Sequence, residues 1–244
     1  MLDSLSVIVD ALPTLIQGAL VTLRLTAIAA VLGIIGGTAL SLIRLSSLTP
    51  LSFLARVYVD FFRGTPLLVQ IFLIYFGFPA LIQSVGLEFS LNKFAAAILA
   101  LSLNTAAYSA EVMRAGIQSI EPGQWEAGKS LGLNPLQSLR HIILPQAFRR
   151  MIPPLGNEFI ILLKDTSLVA VIGYEELFRR GQLIVANNYK AFQIYISVAL
   201  VYLVLTLLAS QVVSFLEWWA DPLARQKNPK FRFIGRLMNR TPVS

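Results

Sequence analysis

Apolar residues in this chain fall into long runs rather than alternating or recurring along one face, and the polar residues gather between the runs. A helix that crosses a bilayer needs about 20 mostly apolar residues, and five stretches approach that. The first runs from about Ile16 to Ile43. Its "GIIGG" sets Gly33 and Gly37 one turn apart, as a seam for close helix packing or as a Gly-rich turn; the apolar run on both sides favours the helix. The second runs from about Pro66 to Ile82 and is short unless it starts near Tyr58. The third covers about Phe94 to Met113 and the fifth about Ile194 to Leu216. The fourth, "MIPPLGNEFIILLKDTSLVAVIGYEEL", is apolar overall yet carries Glu158, Lys164 and Asp165, so it is either a polar-lined span or a broken one. Pro153 and Pro154 suit a helix start, where a missing N–H costs little. The pattern predicts a helix from about Pro154 to Lys164, then a less regular stretch before Gly173. The fold class is an all-α integral membrane protein.

Composition agrees: of 244 residues 56% are hydrophobic and 14% charged, where a soluble domain carries about a quarter charged. No linker-like stretch divides the chain, so one transmembrane domain is expected over 1–220, followed by a basic tail over 221–244. The connection between the first two runs holds Arg44, Arg56 and Arg63 against Asp60. That between the third and fourth holds Lys129, Arg140, Arg149 and Arg150 against Glu121 and Glu126. With the tail, these mark the cytoplasmic side by the positive-inside rule, giving an outside N-terminus and a cytoplasmic C-terminus. The fourth-to-fifth connection dissents, with Arg179, Arg180 and Lys190 on what would be the outer side. The net charge of +7 sits in loops and tail, which suits membrane lipid rather than nucleic acid. "MLDSLSVIVD" has no basic n-region, so no cleaved signal peptide is expected. With no Cys and one His, a thiolate or His-rich metal centre is excluded.

The longest polar interruption is "EAGKSLGLNPLQSLRHIILP", from Glu126 to Pro145. Glu126, Ala127, Gly128 and Ser130 continue a helix begun at "QW", Gly132 can stop it, and Asn134 before Pro135 signals the cap and first turn of another. Leu131, Leu133, Leu136 and Leu139 gather at the bend as a short apolar knob. The knob either docks in a groove on a partner or rests on lipid headgroups.

This stretch resembles the cytoplasmic signature of ATP-binding-cassette importer permeases: Glu-Ala-Ala, three residues, Gly, nine residues, then Ile, any residue, Leu, Pro. Here Glu126, Ala127, Gly128, Gly132, Ile142, Leu144 and Pro145 hold those positions, with Gly128 replacing the third-position Ala. "FRGTPLLVQ", "NTAAYSAEVMRAGI" and "LGNEFIILLKDTSL" are similar to the polar amino acid permeases of that superfamily. The resemblance covers about Leu12 to Trp219 and implies five transmembrane helices of the type I importer permease fold, in a bacterial inner membrane. It implies a coupling helix within about 120–146 that fits an ATPase subunit. It also implies a second permease subunit, a dimer of ATPase subunits that bind ATP and Mg, and an extracellular or periplasmic amino acid-binding protein.

An ionisable group at membrane depth costs about 2.5 kcal/mol or more, so Glu158 should face a cavity, a partner or a substrate. Glu158 and Asp165 are seven positions apart, on one helix face, and two charged carboxylates there would suit a cationic guest. Alternatively Glu158 pairs with Lys164 or an Arg of a neighbouring span, and Asp165 caps the turn at "DTS". The resemblance favours the substrate reading and places Asn157 beside it. Asn104, Tyr108 and Glu111 form a polar face on the third run, lining a pore or bonding helix to helix. Gln70 poses the same choice. His141 has no acidic or nucleophilic neighbour, and no phosphate-binding "GxxxxGK[ST]" loop occurs. The expectation is a transport subunit without catalytic residues and without a cofactor of its own, importing polar amino acids and cationic ones foremost. Glutamine or other uncharged or acidic amino acids are the alternative cargo. An intramembrane enzyme lacks its nucleophile and base, and a lone carrier or channel would not need the knob.

Overall fold

Hydrocarbon offers no hydrogen bonds, so a buried backbone must satisfy its own N–H and C=O groups, and this chain does so with helices throughout. The structure is a computed structural model and describes residues 2–46 and 49–220, with side chains from Ser6 onward. The basic tail over 221–244 lies outside the described residues. Helix α1 spans Leu2–Leu45, α2 Thr49–Gly64, α3 Leu67–Phe72, and a π-helical turn at Leu73–Gly77 leads into α4, Phe78–Ser84. Then come α5 (Lys93–Gln118), α6 (Pro122–Ser130) and α7 (Pro135–Ser138), which passes through a π turn at Leu139–Ile143 into α8 (Leu144–Asp165). A 3-10 segment, Thr166–Ile172, precedes α9 (Leu177–Asn188) and α10 (Ala191–Ala220).

Two boundaries differ from the sequence reading. The first helix begins at Leu2, with Pro13 inside it, rather than near Ile16. Helix α8 begins at Leu144, so Pro153 and Pro154 lie in its interior rather than at its start. Ala147, Met151 and Leu155 recur every fourth position and pack into one apolar cluster. That burial outweighs the missing N–H donors of the two prolines. The irregular stretch expected after Lys164 is the 3-10 segment, closed by Gly173 in the left-handed region. Among the described residues four stretches are long and apolar enough to cross a membrane: Ser6–Leu45, Leu67–Ser84, Lys93–Gln118 and Ala191–Ala220. Helix α8, with Arg149, Arg150, Glu158, Lys164 and Asp165, does not reach that standard. Sequence reading missed α2 and α9 as helices, because each is amphipathic and too polar to register as a span.

Contacts divide the chain into two compact units, one holding residues up to Glu111 together with Glu158–Leu207, the other Val112–Asn157 and the chain from Leu208. The first unit is built around Leu25, Ala29, Ile71, Ala97, Leu101 and Val169. Small residues bring α1 onto α5: a Cβ on Gly33 would lie 2.5 Å from Thr105 Cγ2, and one on Gly37 2.6 Å from Ser109 Cβ and 2.9 Å from Ala106 O. The "GIIGG" segment is thus a packing seam inside a helix. Glu176 is fully buried in the same unit and ties three helices together. Its carboxylate caps α9 by accepting from the N–H groups of Phe178 and Arg179, each at 2.8 Å. It also accepts from Tyr202 of α10 at 2.8 Å and Thr22 of α1 at 3.5 Å. The second unit packs Ile117, Ile120, Ile143, Ala147 and Met151 together.

The α1–α5 seam should tolerate no side chain. Gly37→Val should destabilise the protein by about 1–3 kcal/mol through overpacking, read as a lower melting temperature in detergent. Gly64→Ala, whose Cβ would meet nothing within 4 Å, should stay within about 0.5 kcal/mol of wild type. Equal melting of the two variants would refute the close approach.

Candidate translocation cavity and coupling segment

Within the first unit a cavity of about 410 Å³ is walled by four elements, one of them the 3-10 segment, which contributes Leu168. The end of α8 contributes Glu158, Ile161, Leu162 and Asp165, spaced so that all face one side. Helix α5 contributes Asn104, Thr105 and Tyr108, and the corner between α2 and α3 contributes Thr65, Pro66 and Leu67. The lining mixes apolar side chains with two carboxylates, an amide and a phenol, a composition typical of sites for small polar ligands. Among the described residues neither the Glu158 nor the Asp165 carboxylate has a hydrogen-bond or salt-bridge partner. The alternatives of pairing with Lys164 or a neighbouring Arg, or of capping the turn at "DTS", are not realised here; Thr166 Oγ1 donates instead to Leu163 O at 2.7 Å.

The other residues singled out in the sequence fall in different places. Gln70 is buried and does not line the cavity. Its Nε2 donates to Phe62 O at 2.8 Å and to Thr65 O and Thr65 Oγ1 at 3.0 Å, locking the α2–α3 corner. Its Oε1 accepts from Asn104 Nδ2 at 3.0 Å, so it also orients the cavity amide. Asn157 belongs to the second unit and is not among the cavity residues. Glu111 accepts from Arg44 at 2.8 Å, with Arg63 3.8 Å from the same oxygen. The Arg63 guanidinium also lies over the Tyr108 ring, 5.6 Å from its centroid. Neither the Arg44–Glu111 pair nor the Glu176 cap was read from sequence. The first joins residues 67 apart along the chain; for the second, a Glu directly before the amphipathic "LFRRGQLIVANN" was the available signal.

The polar interruption folds, in the second unit, as a helix, a turn and a helix. Gly132 adopts φ +74°, and Leu133 N–H closes on Gly128 O at 3.1 Å, ending α6 in the left-handed conformation that favours glycine. Asn134 and Gln137 form a capping box at 2.9 Å in each direction, with Pro135 in the first turn. Gly128 is buried because Ser138 crosses it: a Cβ there would stand 2.5 Å from Ser138 Oγ. Glycine in place of the signature's Ala is therefore fitted to this turn. Glu126, Ala127, Ser130, Asn134 and Pro135 are exposed, as are Leu131 at 75% and Leu136 at 71%. Leu133 is half-buried and Leu139 packs into the unit's core, so the apolar knob consists of two leucines rather than four. His141 is exposed.

Residues 29–220 match the family described as the binding-protein-dependent transport system inner membrane component. The chain belongs to that family. It is 44% identical over 209 residues to a probable amino-acid permease of Bacillus subtilis, covering 86% of this chain and 92% of that one. It is 41% identical to a glutamine transport system permease of Escherichia coli strain K12, over 87% and 95% of the two chains. A crystal structure described as an amino acid ABC transporter with histidines superposes with a TM-score of 0.79 at 41% identity, covering 86% of this chain and 95% of that one. The permease thus has the type I importer fold and serves amino acid transport, without catalytic activity of its own. Its family works in the inner membrane with an ATPase and a substrate-binding protein.

Proposed function

We propose that this permease imports polar amino acids with a preference for cationic ones such as arginine, lysine and histidine. The observation that carries this reading is the pair of partnerless carboxylates, Glu158 and Asp165, in one cavity. An uncompensated carboxylate in a poorly hydrated site costs several kcal/mol unless a positive charge visits it. Any amino acid brings an ammonium group, which needs one carboxylate. A cationic side chain gives the second its own partner, while the Tyr108 hydroxyl offers a donor to the cargo's carboxylate; Asn104 Nδ2 is given to Gln70 Oε1 and Phe62 O, which leaves its Oδ1 as an acceptor for the ammonium. Gln70 acts through Asn104, and Asn157 flanks the site in sequence. Relatives support both cargo types: the Escherichia coli protein is a glutamine permease, and an arginine transport permease of Bacillus subtilis is 37% identical over 212 residues.

The permease acts as one of two membrane subunits, identical or paralogous, above an ATPase dimer that binds ATP and Mg. The exposed segment around Leu131 and Leu136 is the coupling surface. The segment from α8 through the 3-10 turn makes the fifth crossing, which leaves the N-terminus outside and the tail over 221–244 in the cytoplasm. ATP binding and hydrolysis then bias the pore between two openings.

Three outcomes test this. Glu158→Gln removes charge and keeps shape, so uptake of labelled arginine by the reconstituted complex should weaken about ten- to a hundredfold in affinity, the worth of one charge-assisted hydrogen bond. Uptake of glutamine should fall far less. Equal losses would assign Glu158 to the ammonium group common to all amino acids. Leu131→Asp and Leu136→Asp alter only exposed side chains, so they should abolish substrate-stimulated ATP hydrolysis in proteoliposomes without lowering the melting temperature; normal stimulation would remove the coupling role. A tag after Ser244 should be reached only from the cytoplasm and one before Met1 only from outside. Both on one side would mean that α8 does not cross.

A further inference from the structure

Beside the cavity stands an ionic cluster with the opposite surplus. Glu111 is already neutralised by Arg44, whose side chain is 12% exposed and whose Nη1 lies 2.8 Å from the carboxylate. Arg63 is the second guanidinium on the same oxygen, at 3.8 Å, beyond hydrogen-bond range, and its side chain is 41% exposed. Two arginines on one carboxylate leave a net positive charge, and the looser of the two costs least to move. Arg63 rests over the face of Tyr108, which itself lines the cavity, and it lies two residues before the lining Thr65. A surplus cation on a long, flexible stem thus borders two carboxylates without partners.

We propose that Arg63 is a resident counter-ion of the cavity, swinging from its rest over Tyr108 and beside Glu111 to Glu158 when no cargo is bound, and displaced by a cationic cargo. This rests on the cationic-cargo reading above. The swing gives the empty cavity an internal partner for Glu158, so the carboxylate need not face hydrocarbon alone between cycles. It also makes cargo binding an exchange of one cation for another, so the apparent affinity is lowered by the fraction of time Arg63 holds the site. A neutral amino acid, which presents only its ammonium group, cannot replace both the resident cation and the hydrogen bonds it makes. Arg63 is therefore a specificity-determining residue set outside the lining itself.

The test is direct binding of labelled arginine and of labelled glutamine to the reconstituted complex of permease and ATPase, without the binding protein. Arg63→Gln should tighten arginine about three- to tenfold, as expected if Arg63 occupies the site for most of the time, and leave glutamine unchanged. Arg63→Lys, which keeps the charge, should stay near wild type. Glu111→Gln, which loosens Arg63 from its rest, should weaken arginine binding, and this effect should vanish when combined with Arg63→Gln. Arg63→Met serves as a second charge-free variant if the glutamine variant does not assemble. If wild type binds arginine over glutamine and the charge-free variants bind it no better, the counter-ion role alone is overturned. If wild type prefers glutamine, the cationic-cargo reading fails and the counter-ion role fails with it.

Discussion

Removing a chain from water takes away the partners of its backbone, and every other feature of this permease follows from restoring them. Helices restore them locally, and the non-helical backbone among the described residues is confined to connections such as the corner at Gly64–Pro66 and the stretch over 85–92. At that corner the freed carbonyls of Phe62 and Thr65 are taken by Gln70. At the start of α9, the N–H groups of Phe178 and Arg179 are taken by Glu176. Both polar side chains are buried and both are satisfied, as buried polar groups must be.

Once helices are made, they must hold together without a hydrophobic drive, since lipid tails are as apolar as leucine. The answer within the first unit is close approach. Gly33 and Gly37 let α1 settle on Thr105, Ala106 and Ser109. That same α5 carries Asn104 and Tyr108 to the cavity. Packing seam and cavity wall belong to one helix and meet at Thr105, so the glycines fix where the polar groups stand.

Glu158 and Asp165 stand out because, among the described residues, neither carboxylate has a hydrogen-bond or ion-pair partner. Charge is tolerated in apolar surroundings when paired, as Arg44 and Glu111 show at 2.8 Å. A site built to bind a passing cation has to forgo such pairing or hold it loosely. Arg63, at 3.8 Å from Glu111, has the geometry of a loosely held pair.

The sequence by itself determined the helical class, the long apolar segments and the turn at Gly132, Asn134 and Pro135, because each rests on local chemistry. Apolar length sets what can lie in a membrane, a positive φ favours glycine, and a cap needs its acceptor in place. The carboxylates of α8 were equally legible, since period and composition put both on one face. Tertiary structure alone decided where α8 begins, because burial of Ala147, Met151 and Leu155 outweighed two prolines that signal a start. It alone showed that Gln70 locks a corner, that two leucines rather than four form the exposed knob, and that Glu176 and Arg44 find partners in distant segments. These depend on contacts between residues far apart in the chain, and no local pattern encodes the distance between two side chains that meet only when helices pack.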